Sequence, residues 1–396
     1  MLPMPELLPE PERLDRLRLW RSRRVGPQTW RRLMAEHGSA AAALAALPAI
    51  AAAAGVADYA ACTAQAAKRE YEAGLRAGAR LIAEGEPGWP VAFAGLEDAP
   101  PLLWALGDAR LAGRPAVALI GARNASSLGL RMAAHLAEGL GAAGFAVVSG
   151  LARGIDAAAH KAALATGTLA VMAGGVDVIY PEENRALAAA IARDGLRLSE
   201  QPMGLQPQAR HFPQRNRLVS GLAQAVVVVE GAARSGSLIT ARTSAEQGRE
   251  VMAVPGHPMD ARAAGCNMLI RDGATLVRDA ADVLEALSRI AGAGSVAASG
   301  AEQPAPAPVA ALPHLPAGGL AARILSLLGP APVPEDRLIR DTGQPAAEVA
   351  RRLVALEMEG KVLRQPGGLL SRPPATSAAP AMTRSNFERP RAWVSE

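Results

Sequence analysis

Aromatic side chains make up only 3% of this 396-residue chain, which argues against a binding surface built on broad stacking against rings. Cysteine is scarce too: Cys62 and Cys266 are the two present. They lie far apart, match no metal-ligand spacing, and fit a reduced, cytoplasmic protein. The N-terminus carries prolines and acids where a signal peptide needs basic and then apolar residues. One uncharged run, Ala40 to Ala57, has the length of a membrane span, but it is mostly alanine and is interrupted by Pro48 and Gly55. It predicts two short alanine-rich helices and no membrane partner. No G-x-G-x-x-G fingerprint is present, and no lysine follows a Gly-rich loop in Walker spacing, so no nicotinamide, ATP or other cofactor is expected. His160 has no cysteine or histidine partner in metal spacing, which argues against a metal site.

What the chain does have is length for two to four domains and a formal charge of +5. That balance makes an anionic partner plausible without identifying one. The most informative stretch runs from His211 to Gly256. Val226 to Val229 is a continuous β-branched run, as in a strand buried on both faces of a parallel sheet. Ser235-Gly236-Ser237 then opens a helix that runs to about Gly248, and a second apolar strand follows from Val251 to Val254. This is a βαβ unit whose turn leaves free backbone N–H groups at a helix N-terminus, where anions and above all phosphates bind. Arg215-Asn216-Arg217 lies just upstream, so the local expectation is a phosphate-binding crevice with arginines at its mouth.

Along the chain, residues 1–85 read as a small helical domain. Helices on either side of Val25-Gly26-Pro27 suit either a helix-hairpin-helix facing a DNA backbone or a plain bundle with solvated arginines. Residues 86–290 alternate strand and helix. Strands are expected at Val117–Ile120, Phe145–Val148, Leu169–Met172 and Leu196–Ser199, besides the two already named. Repeated βαβ units give an α/β fold: an open, mostly parallel sheet with helices on both faces. Each Gly/Ser motif falls at a strand's C-terminal end, where such sheets bind ligands, so one shared crevice is predicted. Residues 291–318 read as an Ala/Pro-rich linker, 319–371 as a winged helix, and 372–396 as a disordered tail. In the winged helix Arg351, Arg352, Lys361 and Arg364 interleave with Glu348, Glu357 and Glu359, so protein contact or a structural cap is as good a reading as groove binding.

The candidate site residues each have a plain structural reading beside the functional one. Gly121 allows a tight turn and Arg123 can hold a phosphate with two parallel hydrogen bonds, although an arginine capping a turn is commoner. Ser149, Gly150 and Asp156 suit turn and cap chemistry. Arg153 belongs to the same loop. Lys161 either reaches back toward the crevice or sits on a solvated face. Arg215 and Arg217, if helical, diverge by about 200°, so only one points squarely inward.

Taken together, Ile120-Gly121-Ala122-Arg123, Ser149-Gly150-Leu151-Ala152-Arg153-Gly154-Ile155-Asp156, Phe212-Pro213-Gln214-Arg215-Asn216-Arg217 and Ser235-Gly236-Ser237-Leu238-Ile239-Thr240-Ala241 occur in the order found in the DNA-processing protein A (Smf) family. Gly248-Arg249-Glu250, Val254-Pro255-Gly256 and Asn267 to Gly273 extend the match. The chain resembles that family closely over about 85–290 and loosely in the flanking domains. The resemblance implies a Rossmann-like domain that binds single-stranded DNA without strong sequence preference, forms a homodimer, and delivers the RecA recombinase to incoming strands in natural transformation. It also implies an N-terminal sterile-alpha-motif-like domain and a C-terminal winged helix. By position, the DNA-contacting arginine of the family's Gly-x-Arg motif corresponds to Arg123, its Phe-Pro-x-Arg-Asn-Arg motif to Phe212, Arg215, Asn216 and Arg217, and its Ser-Gly turn to Ser235, Gly236 and Ser237. One departure stands out: after Tyr180-Pro181 relatives often place a basic residue, whereas this chain has Glu182-Glu183, with Arg185 as the nearest substitute.

Two other classes of function are weighed. The Gly/Ser turn is similar to that of the nucleoside-monophosphate phosphoribohydrolases, but Thr240 falls where their glutamate should be, and a threonine cannot replace a carboxylate in general acid–base work. A transcription regulator would rest on the winged helix alone, against its interleaved acids. The expectation is therefore a binding protein with no catalytic residues.

Overall fold

In the computed structural model, the described residues are 7–56, 58–298, 319–328, 333–359, 361–365 and 369–372. The chain divides into two compact units, residues 1–299 and 300–396.

The first unit begins with α1 (Glu10–Arg21), α2 (Pro27–His37), α3 (Ala40–Ala53) and α4 (Ala64–Arg76). Gly26 and Pro27 stand at the N-cap and first turn of α2, where proline's missing N–H costs nothing. The two short helices expected over residues 40–57 are instead the single helix α3, with Pro48 inside it. A mid-helix proline costs about 3 kcal/mol. Here the helix keeps a Ser39 cap on the amide of Ala42 and buries Ala43, Leu44 and Leu47 on one side with Trp30 and Leu33. Ile50 packs against the same cluster and carries that apolar face past the proline. Among the described residues no single helix is long and apolar enough to cross a membrane, and α2 with α3 reaches that length only as a pair bent by 108°.

The sheet follows: β1 (Arg80–Ala83), β2 (Leu102–Gly107), β3 (Ala116–Gly121), α5 (Ser127–Ala142), β4 (Ala146–Ser149), α6 (Ile155–Ala162), β5 (Thr168–Val171), α7 (Arg185–Asp194), β6 (Leu196–Ser199), α8 (His211–Gly221), β7 (Ala225–Glu230), α9 (Gly236–Glu246), β8 (Glu250–Ala253), α10 (Ala264–Arg271), β9 (Thr275–Leu276) and α11 (Ala280–Ala298). The strand order is β1-β2-β6-β5-β4-β3-β7-β8-β9. All pairs from β6 to β9 are parallel, while β1–β2 and β2–β6 are antiparallel. The six strands predicted from the sequence are therefore joined by two antiparallel strands on one edge and a two-residue strand on the other.

Side chains alternate between two apolar layers. Ala118, Ile120, Val226 and Val228 face one, while Val117, Leu119, Val227 and Val229 face the other with Ala133, Leu136 and Leu140 of α5. Burial on both faces is why these strands read as unbroken apolar runs. A third cluster joins Leu17 of α1 and Ala67 of α4 to Leu81, Leu102 and Trp104 of β1 and β2. The N-terminal helices and the antiparallel edge thus share one core. From β3 the chain steps outward through β4, β5 and β6, then returns to place β7 on the opposite side of β3. That reversal between β3 and β7 is the topological switch point, where an open α/β sheet leaves a crevice.

Helix α11 runs to Ala298, past residue 291 where the linker is expected to begin. The second unit contains α12 (Leu320–Leu327), β10 (Val333–Pro334), α13 (Glu335–Thr342), α14 (Ala346–Met358), β11 (Leu363–Gln365) and β12 (Leu369–Ser371). Its sheet has the order β10-β12-β11 and its core holds Ile324, Leu338, Val349, Leu353 and Leu370. This is the three-helix, small-sheet plan of a winged helix. The expected linker beyond 298, the hairpin turn at 366–368 and the tail from 373 lie outside the described residues.

Candidate single-stranded DNA crevice

A cleft of about 600 Å³ opens at the switch point. Its walls come from the ends of three strands and from the start of α8: Gly121 and Arg123 at and beyond the end of β3, Gly150, Ala152 and Asp156 after β4, Phe212, Arg215 and Asn216 on α8, and Ser235, Gly236 and Ser237 after β7. Four motifs spread over more than a hundred residues of chain thus converge on one crevice, as the strand-end rule predicts.

The loop after β4 is held from within. Leu151, fully buried, has φ +55°, a left-handed conformation that is unfavourable for a residue with a branched side chain. Its N–H donates to Nε2 of His160 at 3.3 Å, and its carbonyl accepts from Nδ2 of Asn184 at 2.9 Å. Nδ1 of His160 lies 2.7 Å from the Thr168 hydroxyl, which itself donates to the carbonyl of Val147. With that hydroxyl proton committed, Nδ1 carries the hydrogen and Nε2 accepts, so the imidazole is neutral. Burial pushes its pKa down to about 3, with nearby Arg215 adding to the effect.

That network carries a pH prediction. Because the folded pKa lies below the ordinary value of 6.5, the unfolded chain takes up the proton first. Stability supplied by neutral His160 is full above pH 6.5 and is lost as pH falls toward 3. At pH 5 the loss amounts to about 2 kcal/mol. Asp156, raised by burial, titrates with the opposite sign, so the readout is a difference. Urea unfolding at pH 7 and pH 5 should show a smaller acid loss in His160→Gln than in the wild-type chain. Equal losses would remove His160 from this role.

Not all the predicted residues reach the crevice. Arg215 does, but as its floor and not at its mouth. It is 6% exposed, Nη1 donates to the carbonyl of Val171 at 3.1 Å, and Nε has no partner among the described residues. Burial lowers its pKa, while Asp156 pulls it back up. Gly150 is glycine because the guanidinium passes directly over it: a Cβ there would lie 1.4 Å from Nη1. Its amide is not free for a phosphate either, since Gly150 and Ala152 both donate to the Asp156 carboxylate at 3.1 and 3.3 Å. Ser149 is fully buried and spends its hydroxyl on the carbonyl of Leu119 at 2.7 Å. These residues shape the crevice from beneath.

Arg217 points away. Its Nη2 donates to the buried Glu200 carboxylate at 2.5 Å and its Nη1 to the carbonyl of Asp98 at 2.6 Å. The helical divergence read from the sequence assigned one arginine inward, and Arg215 is that one. Lys161 is exposed on α6 and is not among the residues lining the crevice. Arg153 is exposed, 3.6 Å from Glu183. Arg185, the substitute for the basic residue, is paired with Glu182 at 2.5 and 2.8 Å. The acidic pair thus faces the two basic side chains beside it.

At the rim the picture is different. Arg123 is exposed and, among the described residues, has no acidic partner. Its guanidinium carbon sits 5.2 Å from the ring centre of Phe212, within cation–π range. Across the crevice, Gly236 and Ser237 begin α9, and among the described residues no side chain caps that helix. Their amides lack intrahelical acceptors by helix geometry, and the Ser235 and Ser237 hydroxyls sit 2.6 Å apart beside them. One unpaired guanidinium and a helix N-terminus therefore face a common space, an arrangement suited to phosphate. Tyr180, which the motifs mark only as the residue before Pro181, joins the site as well: its ring lies 5.7 Å from Phe212. No spacing rule links residues 180 and 212; only the fold does.

The chain resembles known proteins along its length. The family model described as DNA recombination-mediator protein A matches residues 80–288. A DprA-like N-terminal HHH domain matches 10–73 and a DprA winged helix domain matches 303–368. The putative DNA processing protein DprA of Mycobacterium tuberculosis is 45% identical over 231 residues, covering 54% of this chain and 59% of that protein. The match therefore spans a little under two thirds of that relative's own length. Protein Smf of Escherichia coli is 37% identical over 292 residues, 73% of this chain and 76% of its own. The X-ray structure of DNA processing protein A from Streptococcus pneumoniae superposes with a TM-score of 0.52 at 40% identity, covering 55% of this chain and 76% of that one. A family match over more than half the chain, on the same motifs that build the crevice, assigns it: this protein belongs to the DNA recombination-mediator protein A (DprA/Smf) family.

Proposed function

We propose that the crevice binds single-stranded DNA through its backbone, and that the chain protects incoming strands and loads a RecA recombinase onto them in transformation or recombination. The observation that carries this reading is the unpaired Arg123 guanidinium facing the open N-terminus of α9. Both groups recognise phosphate without regard to sequence. The rest of the proposal, a cytoplasmic homodimer formed through the sheet domain that hands the strand to RecA, is supported by family membership. The winged helix offers exposed Arg351 and Arg352, while Lys361 is paired with Glu359 at 2.9 Å; we assign it no DNA contact.

A glycosidic-bond hydrolase finds little support in the same crevice. Thr240 occupies the place of the expected glutamate and is buried in the wall. Glu230, the nearest candidate in sequence, turns to the other side of the sheet end, where it accepts from the amide and hydroxyl of Ser126. The carboxylate that does line the crevice, Asp156, is occupied by two backbone amides.

The test is fluorescence-anisotropy titration of labelled oligo(dT) and a matched duplex across a salt series. Preference for the single strand, with log K falling against log salt at about 0.7 per phosphate neutralised, is the expected result. Failure to bind either form by a folded chain, with release of free base from nucleoside monophosphates, would replace the proposal with the hydrolase.

A further inference from the structure

We infer that Tyr180 is a base-stacking residue of the crevice and that Phe212 is chiefly its support. The inference rests on the single-strand reading above and adds to it the place where a nucleobase is held.

Among the described residues the aromatic side chains are Trp20, Trp30, Tyr59, Tyr71, Trp89, Phe93, Trp104, Phe145, Tyr180 and Phe212, and of these only Tyr180 is exposed. It is 52% exposed. A lone exposed aromatic is ordinary on a protein surface, so exposure alone decides nothing. Position does. Tyr180 and Phe212 flank a narrow slit, with Gly150 also lining it, and Gly150 and Phe212 line the main crevice as well. The slit and the crevice are therefore contiguous.

Phe212 is the ring that motif position alone would nominate. Yet it is half-buried, with the Arg123 guanidinium carbon 5.2 Å from its centre and the Tyr180 ring 5.7 Å away at an interplanar angle of 59°. A base arriving from solvent meets a ring already engaged by two neighbours. The tilt also rules out a parallel sandwich between the two rings as they stand. Tyr180 has the free surface, and its contact with the half-buried Phe212 ring holds it in place. Arg123, which touches the same ring, keeps its guanidinium edge for the phosphate. Base and backbone are thus recognised by different side chains that share one ring as their support.

This division predicts separable effects, measured on the full chain with oligo(dT) and with an abasic strand of equal phosphate count. Tyr180→Ala should weaken oligo(dT) binding by about 5- to 100-fold, the range for loss of one base–aromatic stack. It should leave the abasic strand and the salt slope unchanged, and Tyr180→Phe should retain wild-type binding. Wild-type affinity for oligo(dT) in Tyr180→Ala, or an equal loss on the abasic strand, would overturn the inference while leaving the single-strand reading intact. A folded wild-type chain that binds neither strand would overturn both.

Discussion

Replacing Arg217 by alanine should unfold the protein more readily by about 3–5 kcal/mol, the usual cost of leaving a buried charge without its partner. The stranded charge is Glu200, whose side chain is 8% exposed and lies 2.5 Å from Arg217 Nη2. Burial already raises the pKa of Glu200, and Arg217 holds part of that rise back. The same cluster reaches further: Arg21 donates to the carbonyl of Glu200 and pairs with Glu70, and Glu70 accepts from the indole of Trp104. Arg217 thus helps fasten the N-terminal helices and the antiparallel edge to α8. The sign with pH follows. With Arg217 gone, the folded pKa of Glu200 rises further above its unfolded value, so the penalty is full at neutral pH and shrinks as pH falls through that raised value and the carboxyl takes up a proton. Urea denaturation of Arg217→Ala, alone and with Glu200→Gln, measures this. The double variant should recover most of the loss. A loss that Glu200→Gln does not relieve would mean that Arg217 acts elsewhere.

Arg217 also shows where sequence reasoning ran out. The spacing of Arg215 and Arg217 correctly implied that one of them turns away from the crevice. It did not say which, because that depends on the rotation of α8 about its axis, fixed by packing against α9 and β5. The parallel strands were legible because both faces are buried and the apolar runs are unbroken. β1 and β2 were not: β1 is four residues long, and β2 follows a proline pair in a stretch with no helical crossover to mark it. Convergence of the strand-end motifs was readable from topology alone. Which amides stay free was not, since Asp156 occupies that of Gly150 whereas no side chain among the described residues caps α9. Local sequence gives residue types at a site; the division between residues that build it and residues that face the ligand is made by burial.

Arg123 falls on the ligand side of that division, and its replacement should separate from that of Arg217 in every measurement. Being exposed, with no acidic partner among the described residues, it leaves no charge stranded when removed, so Arg123→Ala should change stability by no more than about 1 kcal/mol, the worth of its exposed cation–π contact with Phe212. Binding should suffer instead. A charge-assisted hydrogen bond to phosphate corresponds to about 10- to 100-fold in affinity, and the slope of log K against log salt should become shallower by about 0.7 for one lost phosphate contact. Arg123→Lys keeps the charge but not the planar two-pronged geometry, so it should restore the slope and only part of the affinity. Two outcomes would move the DNA path away from the β3 end. One is an unchanged slope in Arg123→Ala. The other is an affinity loss that follows its thermal stability, as that of Arg217→Ala should. If slope and affinity fall together on a chain as stable as the wild type, the phosphate is held at the switch point of the sheet, by the one guanidinium that the motifs deliver there unpaired.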